Sequence, residues 1–382
     1  SHLYLLFYKK TCDILKKIYQ IEPSMNESEK KELLSVVNSG WFTEAKKTRK
    51  FEKMFANFTG SKYACAVTSG TAGLYLALNA LGIKNKDEVV VPDLTFVASP
   101  NSIYANNAKP VLTDIERNTL NLDPNLVEKK ISKKTKAIMA VNFNGRTSNI
   151  KILKEIAKKN NLRLIEDAAH SLGSYFSGKH QGTMSDIGVF SFSTPKIITT
   201  GQGGMIVTNN KNLFKKCMAL KDFGREIGAK KKMMTAFNHQ TIGYNFKFTE
   251  FQAAIGISQM RKLKKRMKIK KNMFKVYHEL LKDINEIEFI QTDLSNITPW
   301  MMDILIKTKG KKLKLINFLN KNNIESRIFY PPIHRLSIYK KSDKKFPVTT
   351  NISDRGLWLP SSVTLKEGDV IKISNLIKKF FQ

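Results

Sequence analysis

Asp186-Ile187-Gly188-Val189-Phe190-Ser191-Phe192-Ser193-Thr194-Pro195-Lys196-Ile197-Ile198-Thr199-Thr200-Gly201-Gln202-Gly203-Gly204 sets one lysine between an apolar strand and a glycine-rich turn. Pro195 removes a backbone donor and fixes a bend, while Gly201, Gly203 and Gly204 admit positive φ and close backbone approach. Lys196 is therefore expected to be held rather than free in solvent. A lysine amine that is desolvated and crowded by cations loses proton affinity and becomes a nucleophile toward carbonyl carbon. The competing reading is one more surface lysine in a lysine-rich chain. Two other motifs lie in or near the stretch. Ser193-Thr194-Pro195-Lys196 fits a Ser-x-x-Lys acylation motif, but no Lys-Thr-Gly or Ser-Asp-Asn completes it. Gly173 to Lys179 spells G-x-x-x-x-G-K, yet His180 stands where a phosphate loop needs Ser or Thr for magnesium.

Outward from the lysine, strands and helices alternate. Leu162-Arg163-Leu164-Ile165-Glu166-Asp167 reads as a strand that delivers two acids at its carboxyl end, followed by Ala168-Ala169-His170. Tyr63 to Val67 is a strand running into Thr68-Ser69-Gly70-Thr71-Ala72-Gly73, a turn that opens a helix. Free N–H groups and the positive dipole end make such a turn an anion site. Val89-Val90-Val91-Pro92 is a buried strand leading to Asp93-Leu94-Thr95-Phe96, and further strands are expected at Pro110–Ile115 and Ala137–Val141. Helices follow from about Pro124 and Asn149. This alternation predicts a mostly parallel sheet with ligands gathered at the carboxyl ends of its strands. Ahead of it, Glu27–Asn38 (Leu33, Leu34, Val36, Val37) and Lys46–Phe58 (Phe51, Met54, Phe55, Phe58) read as helices that pack through those apolar residues. Downstream, Leu213–Asp222 is a helix, and Phe223 to Thr241, rich in Lys, Met and Gly, reads as a mobile basic loop.

The 382-residue chain has room for one large α/β domain and a smaller one. Its three cysteines, Cys12, Cys65 and Cys217, are too few and too scattered for a disulfide framework or a Cys-x-x-Cys metal site, which fits a reducing cytoplasm. Leu3 to Tyr8 is far shorter than the roughly 20 apolar residues of a membrane span, and Ser1-His2, in place of an initiator methionine, reads as a cloning remnant. A formal net charge of +33 raises nucleic-acid binding as a second function class. Against it, the lysines are spread as pairs over many helices, and no nucleic-acid module is recognisable.

Ser-Phe-x-x-x-Lys-x-x-x-x-Gly-x-Gly-Gly resembles the lysine segment of the sugar-nucleotide aminotransferases of the DegT/DnrJ/StrS type, which are fold type I pyridoxal-phosphate (PLP) enzymes. Ser69-Gly70-Thr71, Glu166-Asp167-Ala168-Ala169-His170 and Gly243-Tyr244-Asn245-Phe246-Lys247 fit the same family, and Asn323–His334 is similar to the C-terminal part of perosamine synthases. The resemblance covers residue 21 to the end. It implies an α/β fold with a PLP-binding large domain over 21–270, built on a mostly parallel seven-stranded sheet between helices, and a smaller α+β domain over 271–382. Residues 1–20 are left as an N-terminal extension.

The resemblance also implies roles. Lys196 anchors PLP and serves as general acid and base; Asp167 keeps the pyridine nitrogen protonated, with His170 hydrogen-bonded to that acid. Phe96 lies on the ring, Gly70, Thr71 and Ala72 cradle the phosphate, and Ser191 donates its hydroxyl to it. Asn245 reaches the phosphate of the partner subunit, implying a homodimer with shared sites. Arg225, in the basic loop, and Arg327 and His334, facing the cleft, would meet substrate. The implied reaction takes the amino group of L-glutamate, carries it as pyridoxamine phosphate, and delivers it to the ketone of a GDP- or UDP-linked 4-keto-6-deoxyhexose; Ile198 to Gly204 looks more like the segment of C4 than of C3 enzymes. A PLP-dependent dehydratase of the same family would carry histidine in place of Lys196. Several positions depart from the family pattern, among them Thr43-Glu44-Ala45, which lacks a glycine that many relatives carry nearby. Asn142-Phe143-Asn144-Gly145-Arg146 replaces the usual histidine, aromatic and glutamine, Lys247 stands where many relatives have arginine, and His170 stands where several perosamine synthases have an acid.

Overall fold

The strand–helix alternation around Lys196 builds a single sheet that delivers its loops to one edge. The computed structural model describes residues 17–227 and 238–382. Most of the N-terminal extension, Cys12 and the middle of the basic loop lie outside the described residues. The strands of the large sheet are β1 (Tyr63–Val67), β2 (Glu88–Pro92), β3 (Lys109–Thr113), β4 (Thr135–Val141), β5 (Arg163–Asp167), β8 (Ile187–Ser191) and β9 (Gly204–Thr208), in the order β1-β9-β8-β5-β4-β2-β3. A two-stranded hairpin, β6 (Tyr175–Phe176) and β7 (Lys179–His180), stands apart from it. From β8 to β3 every pairing is parallel, whereas β9 runs antiparallel to both β8 and β1. The sheet is therefore mostly parallel and seven-stranded, as expected, and buried strands such as Val89-Val90-Val91 carry apolar residues toward both faces.

Glu166 serves the framework. Its carboxylate accepts from the backbone N–H groups of Gly182 (2.8 Å), Met184 (2.9 Å) and Ser185 (3.1 Å), which ties the turn before β8 to the end of β5. Adjacent side chains of a strand point to opposite faces, so the next residue, Asp167, serves a different environment.

A second, antiparallel sheet follows, of β10 (Ile287–Glu288), β11 (Met302–Ile306), β12 (Arg327–Ile328) and β13 (Gly356–Leu359), in the order β10-β11-β13-β12. The 32-residue helix Glu250–Leu281 joins the two sheets. It is started by a capping box in which Thr249 accepts from the Gln252 backbone and the Gln252 side chain reaches back. Its first half (Ala253, Ile257, Leu263) packs with Phe51 and Phe55, and its second half (Phe274, Tyr277, Leu281) packs with Ile304, Leu315 and Ile373. The junction expected at residue 270 thus falls inside one continuous helix.

The N-terminal helix, Glu27–Ser39, departs from the expected packing. Val36 is buried, but Leu34 and Val37 are 59% and 54% exposed, and Trp41 just beyond is 59% exposed. Its docking is polar instead: Glu29 meets Lys262 (2.6 Å) and Gln259 (2.7 Å) on the long helix. This turns the Leu34 and Val37 face outward. The helix Lys46–Thr59 buries Phe51 and Phe55 as its periodicity requires.

The unusual Asn144-Gly145-Arg146 segment also acquires a physical reason. Arg146 and Asp303, 2% and 1% exposed, form a bidentate pair at 2.6 and 2.9 Å, while Asn144 bonds Asp303 (2.7 Å) and both backbone groups of Met301. These departures fasten the end of β4 to β11. Arg146→Met strands a buried carboxylate, and urea unfolding is expected to register a loss of about 3–5 kcal/mol. Adding Asp303→Leu should recover most of it, since burying neither charge is cheaper than burying one.

Candidate active site

Strand ends and one loop from the small sheet enclose a cavity of about 270 Å³ whose walls include Gly70, Thr71, Phe96, Asp167, His170, Ser191, Lys196 and Arg327. The sequence motifs that lie up to 257 positions apart in the chain (Gly70 to Arg327) therefore meet in one place.

Ser69 caps the helix Gly70–Ala80, its hydroxyl accepting from the Ala72 N–H at 3.1 Å. The first-turn N–H groups of Gly70 and Thr71, at the cavity wall, have no intrahelical acceptor, which is the arrangement that suits an anion. The approach of strand β8 is close here. A Cβ on Gly70 would come within 3.0 Å of the Ser191 Cβ, so glycine is what lets the turn and the Ser191 hydroxyl share the cavity. Ala72 takes part through its backbone bond to Ser69 and does not itself line the cavity.

At the end of β5, Asp167 is buried. Its carboxylate accepts from Ser99 Oγ at 2.7 Å and from the Ala169 N–H at 3.1 Å. Burial pushes its pKa up, while Ser99, the Ala169 amide and Lys196 pull it down. Ser99 is held in turn by Thr95, 2.8 Å away. The expected bond between His170 and Asp167 is not formed. His170 instead stacks on Trp300, ring centroids 3.9 Å apart, and among the described residues its buried Nδ1 meets no hydrogen-bonding partner. Burial, with the positive charge of Lys196, holds this imidazole well below the ordinary histidine range, so it is neutral. The reason for the difference is geometric: the turn after β5 lets Ser99 and the Ala169 amide satisfy the acid and swings the imidazole toward the indole.

Lys196 follows Pro195, whose carbonyl accepts from the indole N–H of Trp300 at 2.7 Å. The lysine Nζ lies 3.9 Å from the centroid of that indole ring. Desolvation lowers the amine's pKa to about 7, with Arg327 adding to the effect and Asp167 opposing it. The lysine is held and desolvated, as expected, but the cation beside it, Arg327, is outweighed by the Asp167 carboxylate. Phe96 is 48% exposed at the cavity wall, its ring 5.3 Å from that of Tyr330, and so is no core phenylalanine. Arg327 lies over Tyr330 and Trp358 at 5.8 and 6.0 Å.

Three expected residues lie elsewhere. His334 does not face the cavity: it is fully buried between Asp93 (2.6 Å to Nδ1) and Asp343 (2.8 Å to Nε2), with its own N–H on Asp93 at 2.8 Å. Two carboxylates occupy both ring nitrogens and leave none for a substrate. Arg225 pairs with Asp222 at 2.6 Å, and Asn245 bridges the backbone of the same Asp222 in an exposed position; neither lines the cavity of its own chain. Conversely, Ser99, Trp300 and Tyr330 escaped the sequence reading. Tyr330 could have been found, as it sits three residues from Arg327 in the segment that carried the resemblance.

The donor set suits PLP. A nucleophilic lysine, a buried carboxylate, an orphaned neutral imidazole nitrogen and a glycine-opened phosphate turn are what an aldehyde-bearing pyridine phosphate requires. The fold and the site thus define a lysine-dependent PLP enzyme. Residues 23–378 match the DegT/DnrJ/EryC1/StrS aminotransferase family, and the chain belongs to it; PLP is that family's cofactor. The chain is 36% identical over 365 residues to the GDP-perosamine synthase of Vibrio cholerae, covering 94% of this chain and 98% of that one. Identity to the GDP-perosamine synthase of Caulobacter vibrioides is 33%, over 94% of this chain and 97% of the other. Among solved structures, Helicobacter pylori PseC, an aminotransferase involved in the biosynthesis of pseudoaminic acid, superposes with a TM-score of 0.86 at 28% identity, covering 96% and 99% of the two chains. Among the described residues no helix is long and apolar enough to cross a membrane.

Proposed function

We propose that the protein transfers the amino group of L-glutamate to the C4 ketone of a GDP- or UDP-linked 4-keto-6-deoxyhexose, in the cytoplasm, as a homodimer with shared active sites. The observation that carries this reading is the desolvated Lys196 amine in one cavity with Asp167 and the Gly70–Thr71 turn. The similarity to GDP-perosamine synthases favours a sugar nucleotide and, between the two nucleotides, GDP.

PLP would be held by Lys196, by Asp167 at the pyridine nitrogen, by Phe96 against the ring, and by Gly70, Thr71 and Ser191 at the phosphate, with Ala72 shaping the turn through its bond to Ser69. Bound there, it supplies an electron sink for the carbon that loses a proton. The chain's own residues do the rest. Lys196, whose amine desolvation brings down to about 7, would take the proton from the donor carbon as a base and give it back as an acid. Asp167, fixed by Ser99 and Ala169, keeps its charge directed at one point of the cavity. Arg327, whose guanidinium lies over the Tyr330 and Trp358 rings, is the cation available to a donor carboxylate or a diphosphate. The neutral His170 offers a hydrogen bond without adding charge. In this reading residues 21–270 hold the cofactor and 271–382 close over the substrate.

The dimer is supported by two features. Asn245 is exposed outside its own cavity, and Leu34, Val37 and Trp41 leave apolar side chains more than half exposed on one side of the chain. Arg225, near Asn245, belongs to the same shared edge. Mixing Lys196→Ala with Asn245→Ala subunits tests the arrangement: random exchange should regenerate activity well above the mean of the two separate mutants, because one site of each mixed dimer is intact. Activity at that mean, with exchange verified by native mass spectrometry, would assign Asn245 to its own chain. For the reaction, the protein should aminate GDP-4-keto-6-deoxymannose with glutamate to a product whose NMR shows nitrogen at C4; no turnover of the 4-ketone, with turnover of a 3-keto-6-deoxy sugar nucleotide, would overturn the regiochemistry.

A further inference from the structure

Trp300 stands just before β11, 105 positions after Pro195 in the chain, and none of the roles given above uses it. The indole is 1% exposed and makes three contacts at the lysine. Its N–H donates to the Pro195 carbonyl at 2.7 Å, its ring centroid is 3.9 Å from Lys196 Nζ, and it stacks at 3.9 Å, 25° from parallel, on His170. Trp358, buried beneath at 5.7 Å between centroids, backs it edge-on. One rigid side chain thus touches the backbone before the lysine, the lysine amine and the neighbouring imidazole.

We propose that Trp300 is the positioning residue for Lys196, its N–H pinning the carbonyl that precedes the lysine and its π face holding the ammonium form of the amine inside the cavity. A cation over an indole face is attracted by the ring quadrupole, and more strongly where water is excluded. The other groups that face the amine are known. Asp167 on β5 favours the ammonium, Arg327 on β12 opposes it, and His170 is neutral. Burial and Arg327 both favour the neutral amine. Asp167 and the indole face together oppose them, and they keep an amine that must both take and release a proton poised between its two forms. The catalytic meaning of this rests on the function proposed above; the contact itself does not.

Fluorinated tryptophans drain the π face while leaving shape almost unchanged, so they separate electrostatics from packing. With 5-fluoro- and then 5,6,7-trifluorotryptophan installed at position 300, the full chain stripped of cofactor would be acylated with acetic anhydride across pH. Its fold would be checked by circular dichroism and Lys196 followed by peptide mapping. The midpoint for Lys196 labelling is expected to fall stepwise, by about half a unit to one unit over the series. Equal midpoints in all three proteins would overturn the proposal. In Trp300→Phe, which keeps a ring and removes the N–H, kcat of the holoenzyme is expected to fall about tenfold, with KM for either substrate within about twofold; a loss carried by KM would contradict a positioning role. The labelling series needs neither cofactor nor substrate. Failure of the aminotransferase reading would leave it intact, and its own failure would leave that reading standing.

Discussion

Lys196→Ala is expected to lower kcat by roughly 10⁴-fold or more, since one side chain serves as both nucleophile and proton carrier. PLP should still bind, because the Gly70–Ala72 turn, Ser191, Asp167 and Phe96 are untouched, but it should wash out on gel filtration. Thermal unfolding should change little: removing a partly buried amine whose pKa is held at about 7 by desolvation relieves a cost rather than creating one. The wild-type profile carries the corresponding sign. A base with a lowered pKa becomes competent as pH rises, so kcat should climb through about pH 7. A variant that retained more than a few per cent of wild-type turnover would remove Lys196 from the chemistry.

Asp167→Asn is the second large effect, expected to lower kcat on the order of 10²–10³-fold, as for the loss of one preorganised charge at a reacting centre. Asparagine keeps the size and can still accept from Ser99 or Ala169, so the fold should survive, and the change should fall on kcat with KM for the sugar nucleotide nearly constant. Ser99→Ala, which removes the 2.7 Å bond while leaving the acid, should lose far less. The order Asp167→Asn below Ser99→Ala below wild type, read in kcat, distinguishes a charge that acts from a residue that orients it. The reverse order would mean that Ser99, and not Asp167, meets the cofactor.

Much of this architecture was legible because it is written locally. Alternating strands and helices determine a parallel sheet, and a parallel sheet gathers its loops at one edge; the family resemblance then named Gly70, Asp167, Ser191 and Lys196 among those loops, and the fold brings them together. Relations across long stretches of chain were not legible. His334 looked like a cleft residue, and only the fold brings Asp93 to it from 241 positions away. His170 was expected on Asp167, but Ser99 and Trp300 compete for the two partners, and neither announces itself in the sequence. Arg146 looked like a bare departure from the family pattern, and the fold makes it half of a buried ion pair with Asp303. Exposure was misjudged at Leu34 and Val37 for a related reason: amphipathic spacing says that a face is apolar, and whether that face meets its own core or another surface depends on docking that Glu29, Gln259 and Lys262 decide. Family membership, and not the high net charge, identifies the reaction class.

The central claim is that Lys196 is the residue that holds PLP. Borohydride reduction of the holoenzyme, followed by digestion and mass mapping, tests it most directly. The expected result is a single pyridoxyl-modified peptide spanning Lys196, lost when the enzyme is first incubated with excess glutamate. A label on any other lysine, or none with PLP in excess, would contradict the account.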